Sequence, residues 1–171
     1  GFIVERDSAG LSFGAEEDKL GIKGSSTRQV FFENVQVPVA NILGEIGKGH
    51  LIAFNVLNVG RFKLGLMALG QSKRNSKMAA RYANERQQFG VSIGSFGAIK
   101  QKLADQAIQI YGLESSVYRI SALIQQKVEA FSAEGQPPHL AYLNAAEEYA
   151  IECALIKVLG LKRILLHILR Q

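Results

Sequence analysis

From about Gly49 onward, apolar residues return every three or four positions: Ile52, Val56, Val59 and Phe62, then Leu66 and Leu69, then Met78, Ala79 and Tyr82. That spacing places them on one helical face and predicts an α-helix to Arg86, roughly 55–60 Å long if unbroken. Gly60, Gly65 and Gly70 interrupt it, each costing about 1 kcal/mol relative to alanine, which points to close packing or an approaching ligand. A second stripe runs through Phe96, Ile99, Leu103, Ala107, Ile110, Val117, Ile120 and Ile124 and predicts a helix over about 95–131. SAEGQPP reads as a loop, with a third helix starting near His139. Long helices joined by short loops predict an antiparallel bundle.

Upstream the period is two. FIVER near the N-terminus reads as a strand, followed by the Asp7–Gly10 turn. In TRQVFFENVQVP, Val30 and Phe32, then Val35 and Val37, alternate with polar neighbours around Asn34. About three strands fit here, too few for a sheet that stands alone. The expected fold class is therefore α+β, mainly α: the last strands of a β domain over 1–46, then long antiparallel helices of a four-helix-bundle domain over 47–160. Residues 161–171 form an atypical tail. NILGEIGKG carries a GxxGxG spacing, but no strand–turn–helix unit surrounds it, so it reads as a turn before a helix.

Composition narrows the class. Hydrophobic residues at 47% and charged residues at 20% describe ordinary globular material. The net charge of +5 suggests nucleic acid until its distribution is considered. Lys162, Arg163 and Arg170 lie in the last eleven residues; elsewhere 17 basic residues face 15 acidic ones, without any aromatic–basic motif. Cys153 is the single cysteine, which excludes disulfide frameworks and cysteine metal sites. No secretion signal and no uninterrupted apolar run of membrane-spanning length is apparent, so a soluble intracellular protein is expected. The start at Gly1 reads as an excerpt or a processed product. His50, His139 and His167 are scattered as surface or boundary residues, and no metal site is expected. Glu147, Glu148 and Glu152 fall within one predicted helix and read as a solvated face.

The stretch YANERQQFGVS, residues 82–92, admits two readings. In one, Arg86 faces the negative end of the helix dipole and Gly90 closes the helix with Phe89 packed beneath it. In the other, the cation, amides and ring grip something flat and anionic.

The order of segments resembles the acyl-CoA dehydrogenase family: GFIVERDSAGLSFG, KLGIKGSSTRQVFFENVQVPVANILGEIGKG, LNVGRF, YANERQQFG and FGAIKQKLAD. The likeness extends to about Gly160 and is strongest to the very-long-chain branch, because Phe96-Gly97 stands where many members carry a glutamine. It implies flavin-dependent α,β-dehydrogenation of a fatty acyl-CoA thioester, as in β-oxidation. A glutamate takes the α proton and the β hydrogen leaves as hydride. FAD is the implied cofactor, electron-transfer flavoprotein the electron acceptor, and a homo-oligomer the assembly. The implied location is the bacterial cytoplasm, or the mitochondrial matrix in a eukaryote.

The same resemblance assigns residues. Arg86 would reach across a subunit interface to the FAD diphosphate, with Gln88 and Phe89 beside it and Phe96 and Gly97 close by. Asn58, in place of the more usual acid, and Arg61 would contact the pantetheine and thioester region of the substrate. No catalytic base is assigned. Gly60 occupies the place where one subgroup carries its glutamate, and the commoner Glu-Gly-Thr element does not occur before Gln171. The chain is thus expected to be a partial copy, inactive and aggregation-prone alone, its tail pointing to a shifted reading frame near Gly160. The rival expectation is a non-catalytic helical interaction or assembly module.

Overall fold

The computed structural model describes the backbone of residues 1–168 and the side chains through Lys162. Two compact units divide the chain, one comprising Gly1–Ala53 and the other starting at Phe54.

In the first unit, β1 (Leu11–Glu16) and β2 (Arg28–Phe32) form an antiparallel pair. Leu11 faces Phe32 and Phe13 faces Val30, and a register shift then brings Glu16 opposite Arg28. Glu16 fixes the loop end of this pair. It accepts hydrogen bonds from the Ser26 hydroxyl at 2.6 Å, Arg28 Nε at 2.8 Å and the Thr27 amide at 3.1 Å. Those donors, Ser26 foremost, favour the carboxylate and hold its pKa down at about 2.

Two strand expectations fail here. FIVER is no strand: Phe2 forms one isolated bridge with Ile42, and the Ile3 amide bonds the Asn41 carbonyl at 2.9 Å. Val35 and Val37 lie outside β2, because Asn34 turns the backbone to φ +53° and Pro38 then supplies no amide donor. β1 is the strand that the sequence reading missed, although Leu11, Phe13 and Ala15 alternate there with Ser12, Gly14 and Glu16. The glycine loop does lead directly into a helix at Gly49.

The helices form where the 3.6-residue period places them, although Val56, Val59, Leu66, Met78 and Tyr82 of the predicted α1 stripe are exposed. α1 spans Gly49–Glu85 and α2 spans Gly97–Ala133, each of 37 residues. The predicted third helix is two: α3 (Pro138–Glu148) and α4 (Ala150–Ile168) meet at Tyr149, whose φ of −100° and ψ of 27° break the helix. Glu147 and Glu148 thereby lie on α3 and Glu152 on α4, so the three do not share one helix. Pro138 at the first position of α3 suits a helix start, since its missing amide donor would be unpaired there anyway.

Leu69 of α1, Leu113, Val117 and Ile120 of α2, and Ile156 of α4 form one core cluster; Val128 of α2 with Ala141 and Ala145 of α3 forms another. A fully buried side chain such as Ile156 contributes about 1.5–3 kcal/mol. Leu113 and Val128 join the predicted stripe, whereas Ala107 lies exposed outside it. Of the three glycines interior to α1, only Gly65 is explained by packing. A Cβ there would sit 1.9 Å from Ile156 Cγ2, and Gly160 of α4 approaches the same turn. Gly60 and Gly70 face open space.

α1 also corrects the membrane expectation. It holds an 18-residue window of mean hydropathy 1.3, long and apolar enough by composition to cross a bilayer. Its buried Asn55 and Asn58, and its packing on α4, are features of a bundle helix. Cys153 is buried, while His50 and His139 are exposed. The backbone of 161–168 continues α4, while the side chains of 163–171, that of His167 among them, and the backbone of 169–171 lie outside the described residues.

Candidate functional site

The stretch at 82–92 does not close the helix in the way the first of its two readings expects. α1 ends at Glu85, and Arg86 donates its amide to the Tyr82 carbonyl at 2.9 Å. The chain then makes a small hairpin, β3 (Gln87–Gln88) against β4 (Val91–Ser92), with Phe89 and Gly90 as its two-residue turn. The Ile93 amide closes it on the Arg86 carbonyl at 2.9 Å. Phe89 at φ +54° and Gly90 at φ +80° have the positive angles that a type I′ turn needs. Glycine accepts this freely; phenylalanine does not, and a bulky residue there marks strain of about 1 kcal/mol or more.

Phe89 does not pack beneath Gly90. It is 86% exposed and meets Phe96 edge-on, ring centroids 6.3 Å apart. Arg86, Gln88 and Gly97 are exposed as well, and Phe96 is half-buried as the residue preceding α2. Among the described residues Arg86 enters no ion pair and its side chain no hydrogen bond. The hairpin therefore brings five of the expected residues to one end of α1 and α2, and the side chains of Arg86 and Gln88 have no hydrogen-bond partner among the described residues.

Asn58 and Arg61 present the opposite arrangement. Asn58 is 5% exposed, and its Oδ1 accepts a 2.8 Å hydrogen bond from Arg61 Nη1 one helical turn on. Arg61 is half-buried and lies near Cys153 of α4. Burial, foremost, and Glu152 push the Cys153 thiol pKa up, while Arg61 opposes them. Periodicity missed a third member of this polar face, Asn55. It is buried and donates from Nδ2 to Glu147 Oε2 at 3.4 Å. Its signal was available: Asn55, Asn58 and Arg61 recur at helical spacing among apolar neighbours.

Arg61 and Arg86 are 25 positions apart along one helix and its end, roughly 37 Å at the α-helical rise. That exceeds the span of an ordinary ligand pocket. Between them a concavity of about 570 Å³ lies between α1 and α2, bordered by Met78, Tyr82, Ile99 and Leu103. The buried Gln106 Oε1 at its wall has no hydrogen-bond partner among the described residues. No cluster of three or more potential metal ligands occurs among the described residues.

The profile of the family described as "Acyl-CoA dehydrogenase, C-terminal domain" matches residues 47–159. A protein named "Probable acyl-CoA dehydrogenase" in Bacillus subtilis (strain 168) is 47% identical over 159 residues, which are 93% of this chain and 27% of that protein. The very long-chain specific acyl-CoA dehydrogenase of Mus musculus mitochondria is 40% identical over 93% of this chain and 24% of its own length. The crystal structure of an acyl-CoA dehydrogenase complexed with FAD from Bacillus anthracis superposes with a TM-score of 0.81 at 50% identity, covering 93% of this chain and 27% of that one. The chain thus spans about a quarter of the length of these relatives. With a match over most of its length and the same helical architecture, this chain belongs to the acyl-CoA dehydrogenase family.

Proposed function

We propose that this chain is a segment of an FAD-dependent enzyme that dehydrogenates fatty acyl-CoA thioesters between their α and β carbons, and that it contributes to two different active sites. The observation carrying this reading is the separation of Arg61 from Arg86 on one helix. A single ligand pocket does not span roughly 37 Å, the distance that helical rise sets between them. In a symmetric oligomer the two elements act in different sites, each completed by the neighbouring copy.

The hairpin residues fit FAD. Arg86 offers a rigid fork of donors that matches diphosphate oxygens. Gln88 adds an amide, Phe89 and Phe96 a pair of aromatic faces, and Gly97 a backbone with no side chain to obstruct approach. The strained φ at Phe89 keeps its ring outward, where a ligand can use it. Bound FAD supplies the redox chemistry. Arg61 faces the polar part of the acyl-CoA substrate. Proton abstraction from the α carbon falls to a residue outside 1–171. Residues 1–46 serve as the end of the β domain and 47–160 as the helical domain. Electron-transfer flavoprotein takes the electrons, in the bacterial cytoplasm or the mitochondrial matrix.

The test is a full-length protein containing this segment. It is expected to purify with FAD and to oxidise acyl-CoA with an artificial electron acceptor. An oligomer without flavin or turnover overturns the reading in favour of an assembly module.

A further inference from the structure

Arg61 needs an acceptor on its neighbour, so the Asn58 amide must turn its oxygen, not its nitrogen, toward the guanidinium. The side chain delivering that oxygen is almost wholly buried, and its position on the preceding turn of the same helix fixes the geometry. No carboxylate among the described residues comes within ion-pair distance of Arg61; the pairs formed are Lys23–Asp18, Arg28–Glu16, Lys48–Glu45, Lys73–Glu114, Arg81–Glu85 and Lys127–Glu148. Glu147, the acid nearest in sequence to this face on α3, is engaged by Asn55. A half-buried cation held by a neutral partner keeps its whole charge, and low local dielectric strengthens what that charge can do. A carboxylate in place of Asn58 would hold the same geometry and cancel the charge.

We propose that Asn58 is a positioning residue: it orients Arg61 through one neutral hydrogen bond and leaves the guanidinium uncompensated for an electron-rich or anionic group of the ligand. This rests on Arg61 contacting the acyl-CoA, as proposed above. Asn58 then acts through Arg61 and makes no contact of its own with the ligand. The amide is also a specificity element, since an aspartate in its place would add one negative charge directly beside the Arg61 guanidinium.

Non-additivity decides the matter, measured in a full-length protein containing this segment with coenzyme A and palmitoyl-CoA as probes. Asn58→Ala is expected to weaken coenzyme A binding about tenfold, the range of one hydrogen bond to a charged group. In an Arg61→Ala background the same substitution is expected to have no further effect, because the group it positions is gone. Asn58→Asp keeps the fold and the orientation; it is expected to weaken binding at least as much and to flatten its salt dependence. Equal losses from Asn58→Ala with and without Arg61 overturn the positioning role, as does an Asn58→Asp variant that binds like wild type with unchanged salt dependence. If Arg61→Ala itself leaves binding of both probes unchanged, the assignment of Arg61 to the ligand fails, and the positioning role falls with it.

Discussion

Arg61, midway along α1, and Arg86, one residue past its end, are the same side chain in opposite surroundings. Arg61 is half-buried, held at 2.8 Å by Asn58, on a face that also carries the Asn55–Glu147 contact. Arg86 stands exposed on a hairpin whose turn costs strain and whose polar side chains find no partner among the described residues. A polar group inside a bundle must be satisfied by the chain, because burying it unpaired costs several kilocalories per mole. A polar group outside is satisfied by water, so nothing in folding demands an aromatic turn residue at φ +54°. The buried arginine is explained by stability and, in the proposed reading, by ligand contact as well; the exposed one is explained only by the binding role proposed for it.

The largest effect that sharpens this contrast lies at the helix crossing. Gly65→Ala forces a methyl group into Ile156 beside Gly160 and is expected to destabilise the fold by about 3 kcal/mol. Gly70→Ala, on the same helix but facing open space, is expected to stabilise by roughly 0.5–1 kcal/mol. Denaturant titration of both variants checks the pair, and equal effects would erase the distinction between the two faces.

Arg86→Ala comes next. It is expected to weaken FAD retention about ten- to a hundredfold while changing stability little, since a charge-assisted hydrogen bond is worth roughly 1.5–3 kcal/mol. Arg86→Lys recovers part of the loss, because a point charge does not reproduce a two-pronged contact. Flavin dissociation and melting temperature, measured on the same samples, separate this from a helix-end role. A lowered melting temperature with unchanged flavin affinity would make Arg86 structural.

A smaller effect of opposite sign belongs to the turn. Phe89→Asn places a residue suited to positive φ at the first turn position and is expected to stabilise by roughly 0.5–1 kcal/mol, while loosening flavin binding. Gain in stability with loss of cofactor is the signature of strain kept for function. A destabilised variant would mean that the Phe89–Phe96 contact outweighs the turn strain.

The last is a pH effect in the first unit. Glu16 is exposed yet fully partnered, and its folded pKa of about 2 lies below the ordinary 4.5. A depressed carboxylate stabilises above its unfolded pKa and loses that contribution as pH falls through the folded value. Amide exchange across β1 and β2 is therefore expected to quicken as pH drops from about 4.5 toward 2 relative to Glu16→Gln, in which that dependence should vanish.

These contrasts also show what the chain disclosed before folding. The helices were legible because their apolar residues recur at 3–4 spacing over tens of positions, and a long periodic signal survives a few glycines. The break at Tyr149 was not, since neither glycine nor proline marks it and Glu147, Glu148 and Glu152 look continuous in sequence. Short strands fared worse: FIVER is apolar enough for a strand but forms only an isolated bridge at Phe2, whereas β1 does alternate, Leu11, Phe13 and Ala15 with Ser12, Gly14 and Glu16, and was passed over because it is short. At the candidate site, family-like segments singled out Asn58, Arg61 and Arg86 by position. They did not disclose that Asn58 is already engaged by Arg61, nor that Gln-Phe-Gly-Val is a hairpin, because both depend on backbone angles and on rotamers chosen after packing.

The central claim, that Arg61 and Arg86 of one copy serve different active sites, has a direct test. Full-length Arg61→Ala and Arg86→Ala proteins, each impaired alone, are co-expressed so that mixed oligomers form, and acyl-CoA oxidation is measured on the isolated mixed species. If each site combines Arg61 of one copy with Arg86 of the next, about half the sites in a mixed pair carry both arginines and half carry neither. Turnover should then return to about half the wild-type rate, with wild-type KM, as expected for complementary defects across a two-fold interface. If both arginines serve the same site of one copy, every site keeps one defect; mixed oligomers no more active than the impaired parents would contradict the account.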